Sequence, residues 1–155
     1  MHPLICRYVY SYIDSVIGEI HMFTEYCICI FYKIDGNLAS RIENAKKENK
    51  LFPEEIIVTW LKFICVGLLY LHDNFIVHLD LKPENILFDS KDSNPRICDF
   101  GNFQIISSAK KVATNFKGTW GYKSPEICLD EPYDSSSDVW SLGCILYEIC
   151  TLNVI

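Results

Sequence analysis

One stretch concentrates the residues that could do chemistry. Ile76 to Phe88, IVHLDLKPENILF, places a carboxylate (Asp80), an ammonium (Lys82) and an amide (Asn85) within six positions, between two short apolar runs. Asp80 can accept a proton, and Asp80 and Asn85 both offer oxygen ligands. Lys82 puts a positive charge two residues from the acceptor. Pro83 fixes its own φ and biases Lys82 away from helix, so the segment reads as a stiff loop. A rigid loop with an acceptor, a cation and an oxygen ligand suits phosphoryl transfer, which is mostly positioning and charge neutralisation.

A second carboxylate, Asp99, stands in CDFGN, where Gly101 lets the backbone swing after the short apolar run RIC. A strand–turn–strand unit between Asn85 and Asp99 would bring these two oxygen ligands together. Hard oxygen ligands beside nucleotide phosphates suit magnesium. Taken singly, each of these residues is as ordinary as a solvated loop side chain, and a lone DFG tripeptide carries little information.

The elements that must hold this loop follow from pattern. Residues 1–32 are rich in β-branched and aromatic types and read as two strands joined around Asp14 to Gly18. Such a two-strand piece is marginal by itself. Gly36 and Asn37 mark a turn before the charged helical stretch LASRIENAKKENK. Pro53, Glu54 and Glu55 open a long apolar helix reaching about Leu71. ILF and RIC read as short strands around the polar turn DSKDSNP. Asp99 to Tyr133 has little periodicity, the mark of a functional or mobile stretch. From Ser136 a serine-capped helix begins, DVWSLGCILYEIC, again apolar on most faces.

Composition narrows the class. With 155 residues, half of them hydrophobic, the chain can build a core, which excludes disorder. A net charge of -6 argues against nucleic-acid and anionic-membrane partners, which attract basic surfaces. The eight cysteines contain no CxxC pair and mostly sit in apolar runs, so they read as free thiols of an intracellular, cytoplasmic protein. Ile56 to Leu71 is shorter than the roughly 20 residues of a membrane span, and Lys62 lies near its middle, so it reads as a core helix.

HLDLKPEN, then DFG, then GTWGYKSPE, then DVWSLG, in that order, resemble the protein-kinase signature set. The resemblance covers essentially the whole chain. TEYC, LASRIENAKKENKLFPEE and SPEICLDEPYDSSSDVWSLGCILYEICTL are similar to the NIMA-related serine/threonine kinases. It implies an α+β, protein-kinase-like fold, mostly the helical C-lobe with short β-hairpins. Residues 1–36 would be the last N-lobe strands and hinge, and residues 37–155 the C-lobe through its central helix. Asp80 would be the catalytic base and Lys82 would neutralise the transferring γ-phosphate of ATP. Thr119 would bridge the two and favour a serine or threonine acceptor on a protein substrate. Asn85 and Asp99 would hold Mg2+ beside the nucleotide, with Phe100 packed behind. Glu25 to Cys27 would form the hinge that binds adenine, with Thr24 as gatekeeper and Leu87 lining the pocket floor. Asp138 would hydrogen-bond the backbone of the catalytic loop, although its position also suits a simple first-turn charge.

The departures from the family pattern carry their own expectations. Leu79 stands where the family has an arginine that pairs with a phosphorylated activation loop, so control by that route is not expected. The matching phosphosite falls at Asn115, next to Thr114, and Trp120 replaces a common proline. About six additional residues between Cys27 and Gly36 leave a second hinge register open, with CIFYKI as the hinge strand. The 155 residues contain no glycine-rich phosphate loop, no lysine of the VAIK type and no partner glutamate helix. This reads as an N-lobe truncated to its last strands, with the arginine that would pair with Glu126 also absent. Glu126 is therefore expected to be exposed or protonated. The isolated chain is expected to transfer phosphate poorly and to leave apolar helix faces uncovered. A catalytically inactive pseudokinase or interaction fragment is the alternative reading, and the residues fix no oligomeric state.

Overall fold

In the computed structural model, residues 4–5, 8–14, 19–24, 28–29, 32–89, 93–106, 111–112 and 120–154 are described. The chain opens with an antiparallel hairpin, β1 (Tyr8–Asp14) and β2 (Glu19–Thr24), in the register Asp14↔Glu19. A mixed-length antiparallel sheet follows, in the order β3 (Ile28–Cys29), β4 (Tyr32–Asn37), β6 (Ile86–Asp89), β7 (Pro95–Ile97). Both expected hairpins are therefore present.

Strand β4 runs directly into helix α1 (Leu38–Lys47) through a capping box. Asn37 Oδ1 accepts the Ser40 amide at 2.8 Å, and Ser40 Oγ accepts the Asn37 amide at 3.1 Å. Gly36, at φ +77°, makes the turn that a side chain would strain. Helix α2 (Glu54–Asp73) begins after Pro53, and its acidic first residues face the positive end of the helix dipole.

The main core lies where α2 crosses the β6–β7 hairpin and helix α4 (Ser136–Thr151). Trp60, Ile64, Leu68 and Leu71 of α2 meet Phe88, Ile86 and Ile97 of the hairpin and Ile145 and Ile149 of α4. Burying each such side chain is worth roughly 1.5–3 kcal/mol. Gly67 permits the close approach, since a Cβ there would lie 3.0 Å from Ile97 Cδ1.

Helix α2 packs its inward face into the core described above and, as expected, leaves an apolar face uncovered: Val58, Val66 and Leu69 are exposed. It is 20 residues long, and by length and composition alone it is long and apolar enough to cross a membrane. Helix α4 likewise exposes Val139, Trp140 and Tyr147. One expectation is corrected: the start of α4 is not capped by serine, since N-cap Ser135 makes no side-chain cap bond and Asp134 Oδ1 takes the Ser136 amide at 2.8 Å. A carboxylate satisfies an orphan amide at a helix start as well as a hydroxyl does.

The aperiodic stretch from Asp99 to Tyr133 holds short elements. Strand β5 (Ile76–Val77) pairs with β8 (Gln104–Ile105), and β9 (Lys111–Val112) pairs with β10 (Pro132–Tyr133). Between them lie a 3-10 turn, Trp120–Tyr122, and the short helix α3 (Pro125–Cys128). Elements of two to four residues are too short to leave a periodic trace.

Candidate active site

The loop between β5 and β6 is held from beneath by one buried carboxylate. Asp138, in the first turn of α4 and 0% exposed, accepts the backbone amides of His78 and Leu79, each at 2.9 Å. These are the two residues before Asp80. Leu79 adopts φ +64°, a left-handed conformation that a branched residue keeps only where its surroundings over-determine it. Its side chain is buried with Val77, Ile106, Ile127 and Tyr133, so packing and the Asp138 bond both hold it there.

His78 ties the loop to the next segment. Its fully buried ring hydrogen-bonds through Nε2 to the Cys98 carbonyl at 2.9 Å, while Nδ1 receives the Asp80 amide at 3.3 Å. An acceptor at Nδ1 and a donor at Nε2 define one tautomer. The Phe100 ring lies 5.1 Å from the imidazole and packs against the main core.

The chemistry-bearing side chains converge on Asp80 Oδ2. Lys82 Nζ is 3.3 Å away, Asn85 Nδ2 3.4 Å and Asn102 Nδ2 3.3 Å. Asn85 also donates to the Asp80 carbonyl at 2.8 Å, which turns its amide nitrogen inward. Its own carbonyl accepts the Cys98 amide at 2.9 Å, placing the residue before Asp99 beside it. Asp99 is exposed at φ +62° and accepts the Gly101 amide at 3.1 Å. A buried amide (Asn85) and an exposed carboxylate (Asp99) on adjacent backbone are the oxygen-ligand types that suit a magnesium ion taking its other ligands from phosphate and water. Among the described residues no cluster of three His, Cys, Asp or Glu forms a self-sufficient metal cage.

Other named residues fall around this centre. Leu87 is half-buried in β6, opposite Arg96 of β7 and Asn37 of β4. Thr24 ends β2. Glu25, Cys27, Thr114, Asn115 and Thr119 lie outside the described residues. Asn102 and His72 were not singled out from sequence; Asn102 was legible only as the residue after DFG, and His72 only as a basic residue closing α2.

Glu126 corrects an expectation. It is half-buried and accepts the Ser137 hydroxyl at 2.7 Å. Burial pushes its carboxyl up, but the hydrogen bonds from Ser137 and the backbone outweigh it and hold the group below its ordinary value. It is neither fully exposed nor protonated, because hydroxyl and amide donors stand in for a cation. Tyr122 donates to Glu148 and so links the 3-10 turn to α4; burial first, and then that bond, raise its phenol far above the usual range.

A model described as the protein kinase domain matches residues 1–155. The chain belongs to the protein kinase domain family. It is 40% identical over 152 residues to the serine/threonine-protein kinase Nek1 of Mus musculus, covering 98% of this chain and 12% of that protein. It is 36% identical to the serine/threonine-protein kinase Nek5 of Homo sapiens, with 98% and 20% covered. It is 35% identical to the serine/threonine-protein kinase nekl-2 of Caenorhabditis elegans, with 98% and 42% covered. The chain thus spans less than half the length of these curated relatives. The α+β fold is that of a kinase domain, with helices and short antiparallel strands. Membership of this family implies use of ATP and a divalent metal in general.

Proposed function

We propose that the chain carries the catalytic loop of a serine/threonine protein kinase, transferring the γ-phosphate of ATP to protein hydroxyls. The observation that carries this reading is the convergence of Lys82, Asn85 and Asn102 on Asp80, on a loop pinned by buried Asp138. Asp80 is the base for the acceptor hydroxyl, and Lys82, 3.3 Å from it, neutralises the transferring group. Asn85 and Asp99 are the residues that would hold Mg2+, which supplies charge neutralisation at the phosphates when bound. Thr119 is assigned the acceptor-side bridge, and Glu25 to Cys27 and Leu87 the adenine site. The second hinge register, through CIFYKI, is the alternative to Glu25 to Cys27; of that stretch, β4 pairs Ile34 with Asp89, two residues beyond Leu87. The division near residue 36 and an intracellular location, supported by the free thiols of Cys65, Cys98, Cys128, Cys144 and Cys150, belong to the same proposal.

A second reading, an inactive interaction module, is favoured by the exposed apolar faces of α2 and α4. Transfer of labelled γ-phosphate to a generic basic protein separates the two. Transfer that Asp80→Asn abolishes supports the kinase; no transfer above the Asp80→Asn background supports the module.

A further inference from the structure

We propose that the groove between the α1–α2 loop and the turn of the β6–β7 hairpin docks a short peptide segment of a partner protein, one that sets leucine-type side chains among carboxylates. The inference is independent of phosphotransfer. The cavity holds about 580 Å³, within the range of ordinary ligand sites. Its floor is Trp60, 5% exposed, with the Phe52 ring edge-on to it and the Phe88 ring tilted against it, each at 5.0 Å between centroids. Leu51 and Ile56, 62% and 41% exposed, stand at its edge. Ser93 and Asn94 line it from the hairpin turn.

The backbone holds this groove open. Helix α1 ends in a Schellman motif: the Asn49 amide donates to the Lys46 carbonyl at 3.1 Å and the Lys50 amide to the Ala45 carbonyl at 3.0 Å, with Asn49 at φ +50°. This fixes where Lys50 and Leu51 leave the helix, so the loop does not fold inward over Trp60. A groove formed in advance loses little ordering entropy when it is filled.

Charge selects the occupant. Among the described residues that line the groove, the cations are Arg41 and Lys50 and the single carboxylate is Glu48, in a chain of net charge -6. The Arg41 guanidinium is fixed over the Phe88 ring, its Cζ 3.8 Å from the centroid. Helix α2 also starts here: Pro53 and Ile56 line the groove, and N-cap Pro53 brings no side-chain acceptor. The positive end of a 20-residue helix thus adds to the two cations; Glu54 and Glu55 offset it from outside the lining. An apolar floor with a positive rim suits an apolar side chain flanked by carboxylates and disfavours a basic segment. The groove lies at the far end of the hairpin from Asn85 and Cys98, about 13 Å along β6, so an occupant leaves Asp80 open.

The test is fluorescence polarisation with a short fluorescein-labelled peptide that alternates aspartate and leucine. It should bind with a dissociation constant below about 1 mM, weakening about fivefold between about 50 and 500 mM salt. Lys50→Glu should weaken binding about tenfold and Lys50→Arg should keep it. Leu51→Ser should also cost about tenfold, through lost apolar contact. Both positions are exposed, and melting curves that match wild type check that the variants fold. If Leu51→Ser does not fold, Leu51→Gln replaces it. Peptides with lysine for aspartate, or serine for leucine, should not bind measurably. Affinity unchanged in the Lys50→Glu and Leu51→Ser proteins, or a lysine peptide that binds as tightly as the aspartate one, overturns the inference. Concentration-dependent dimerisation that Leu51→Ser abolishes also overturns it, because the occupant is then a second copy of this chain.

Discussion

Asn102 donates its side-chain amide to Asp80 Oδ2 across 3.3 Å, joining the segment after Asp99 to the proposed base 22 residues earlier. One carboxylate oxygen thus collects donors from both segments that carry the oxygen ligands. Asn102→Ala removes one of three donors without opening the core, since Asn102 is only half-buried. Losing a bond worth about 1 kcal/mol should lower kcat roughly fivefold and leave thermal stability nearly unchanged. Steady-state phosphotransfer beside a melting curve checks both halves, and an unaltered rate would remove Asn102 from the site.

Leu79 gives the loop an apolar anchor where the family carries an arginine. It is 5% exposed and packs with Val77, Ile106, Ile127 and Tyr133. Leu79→Ala should cost about 2–4 kcal/mol through the cavity it leaves. Leu79→Met, close in volume, should cost less than about 1.5 kcal/mol. Leu79→Arg should be at least as damaging as the alanine variant, because a guanidinium would be buried among apolar groups. Urea titration orders the three variants, and an arginine variant as stable as wild type would show that the cluster does not hold the loop.

The parts of this site that were legible in the sequence are those whose signal is local. Asp80, Lys82 and Asn85 lie within one turn of chain, and Pro83 announces that the chain there is not helical. Helices α1 and α2 and the β6–β7 hairpin announce themselves by turn residues, Pro53 and apolar patterning. The rest depends on contacts between distant segments. Nothing near His72 indicates that its ring meets Asp138, and nothing near Asn102 indicates that it meets Asp80. That α2 leaves an apolar face uncovered was legible, but not that Val58, Val66 and Leu69 form it, because a helix apolar on most faces does not say which face is covered. The serine-rich start of α4 misled for a simpler reason: Asp134 competes for the same orphan amide and is the better-placed acceptor.

The capping box of α1 couples three residues tightly enough to break additivity. A Cβ on Gly36 would come within 2.7 Å of Ser40 Oγ, the atom that accepts from Asn37 N and donates to the Asn37 carbonyl. Gly36→Ala therefore strains a backbone at φ +77° and pushes the cap apart, at a combined cost of about 2 kcal/mol. Asn37→Ala should cost about 1 kcal/mol. Adding Ser40→Ala to Gly36→Ala relieves the contact, so the double variant should lose less than the sum of the singles. Chemical denaturation of the three proteins measures this, and strict additivity would mean that Ser40 simply rotates away.

Glu126 and Ser137 should leave a signature in the acid limb of stability. The Glu126 carboxyl is held below its ordinary 4.5 in the fold, mainly by the Ser137 hydroxyl and the backbone acting against burial. The folded protein therefore binds this proton less readily than the unfolded chain. The group contributes stability above the ordinary value, and that contribution fades as pH falls through the folded value. Ser137→Ala removes the 2.7 Å donor and lets burial dominate, so the carboxyl should move upward. The variant should be less stable near neutrality, and its stability should fall less steeply between about pH 5 and 3 than that of wild type. Glu126→Gln, which carries no proton to exchange, should show the same shallower limb with the hydroxyl still in place. Urea midpoints across this pH range decide the matter: parallel profiles for all three proteins would mean that the Ser137 bond does not govern the titration of Glu126.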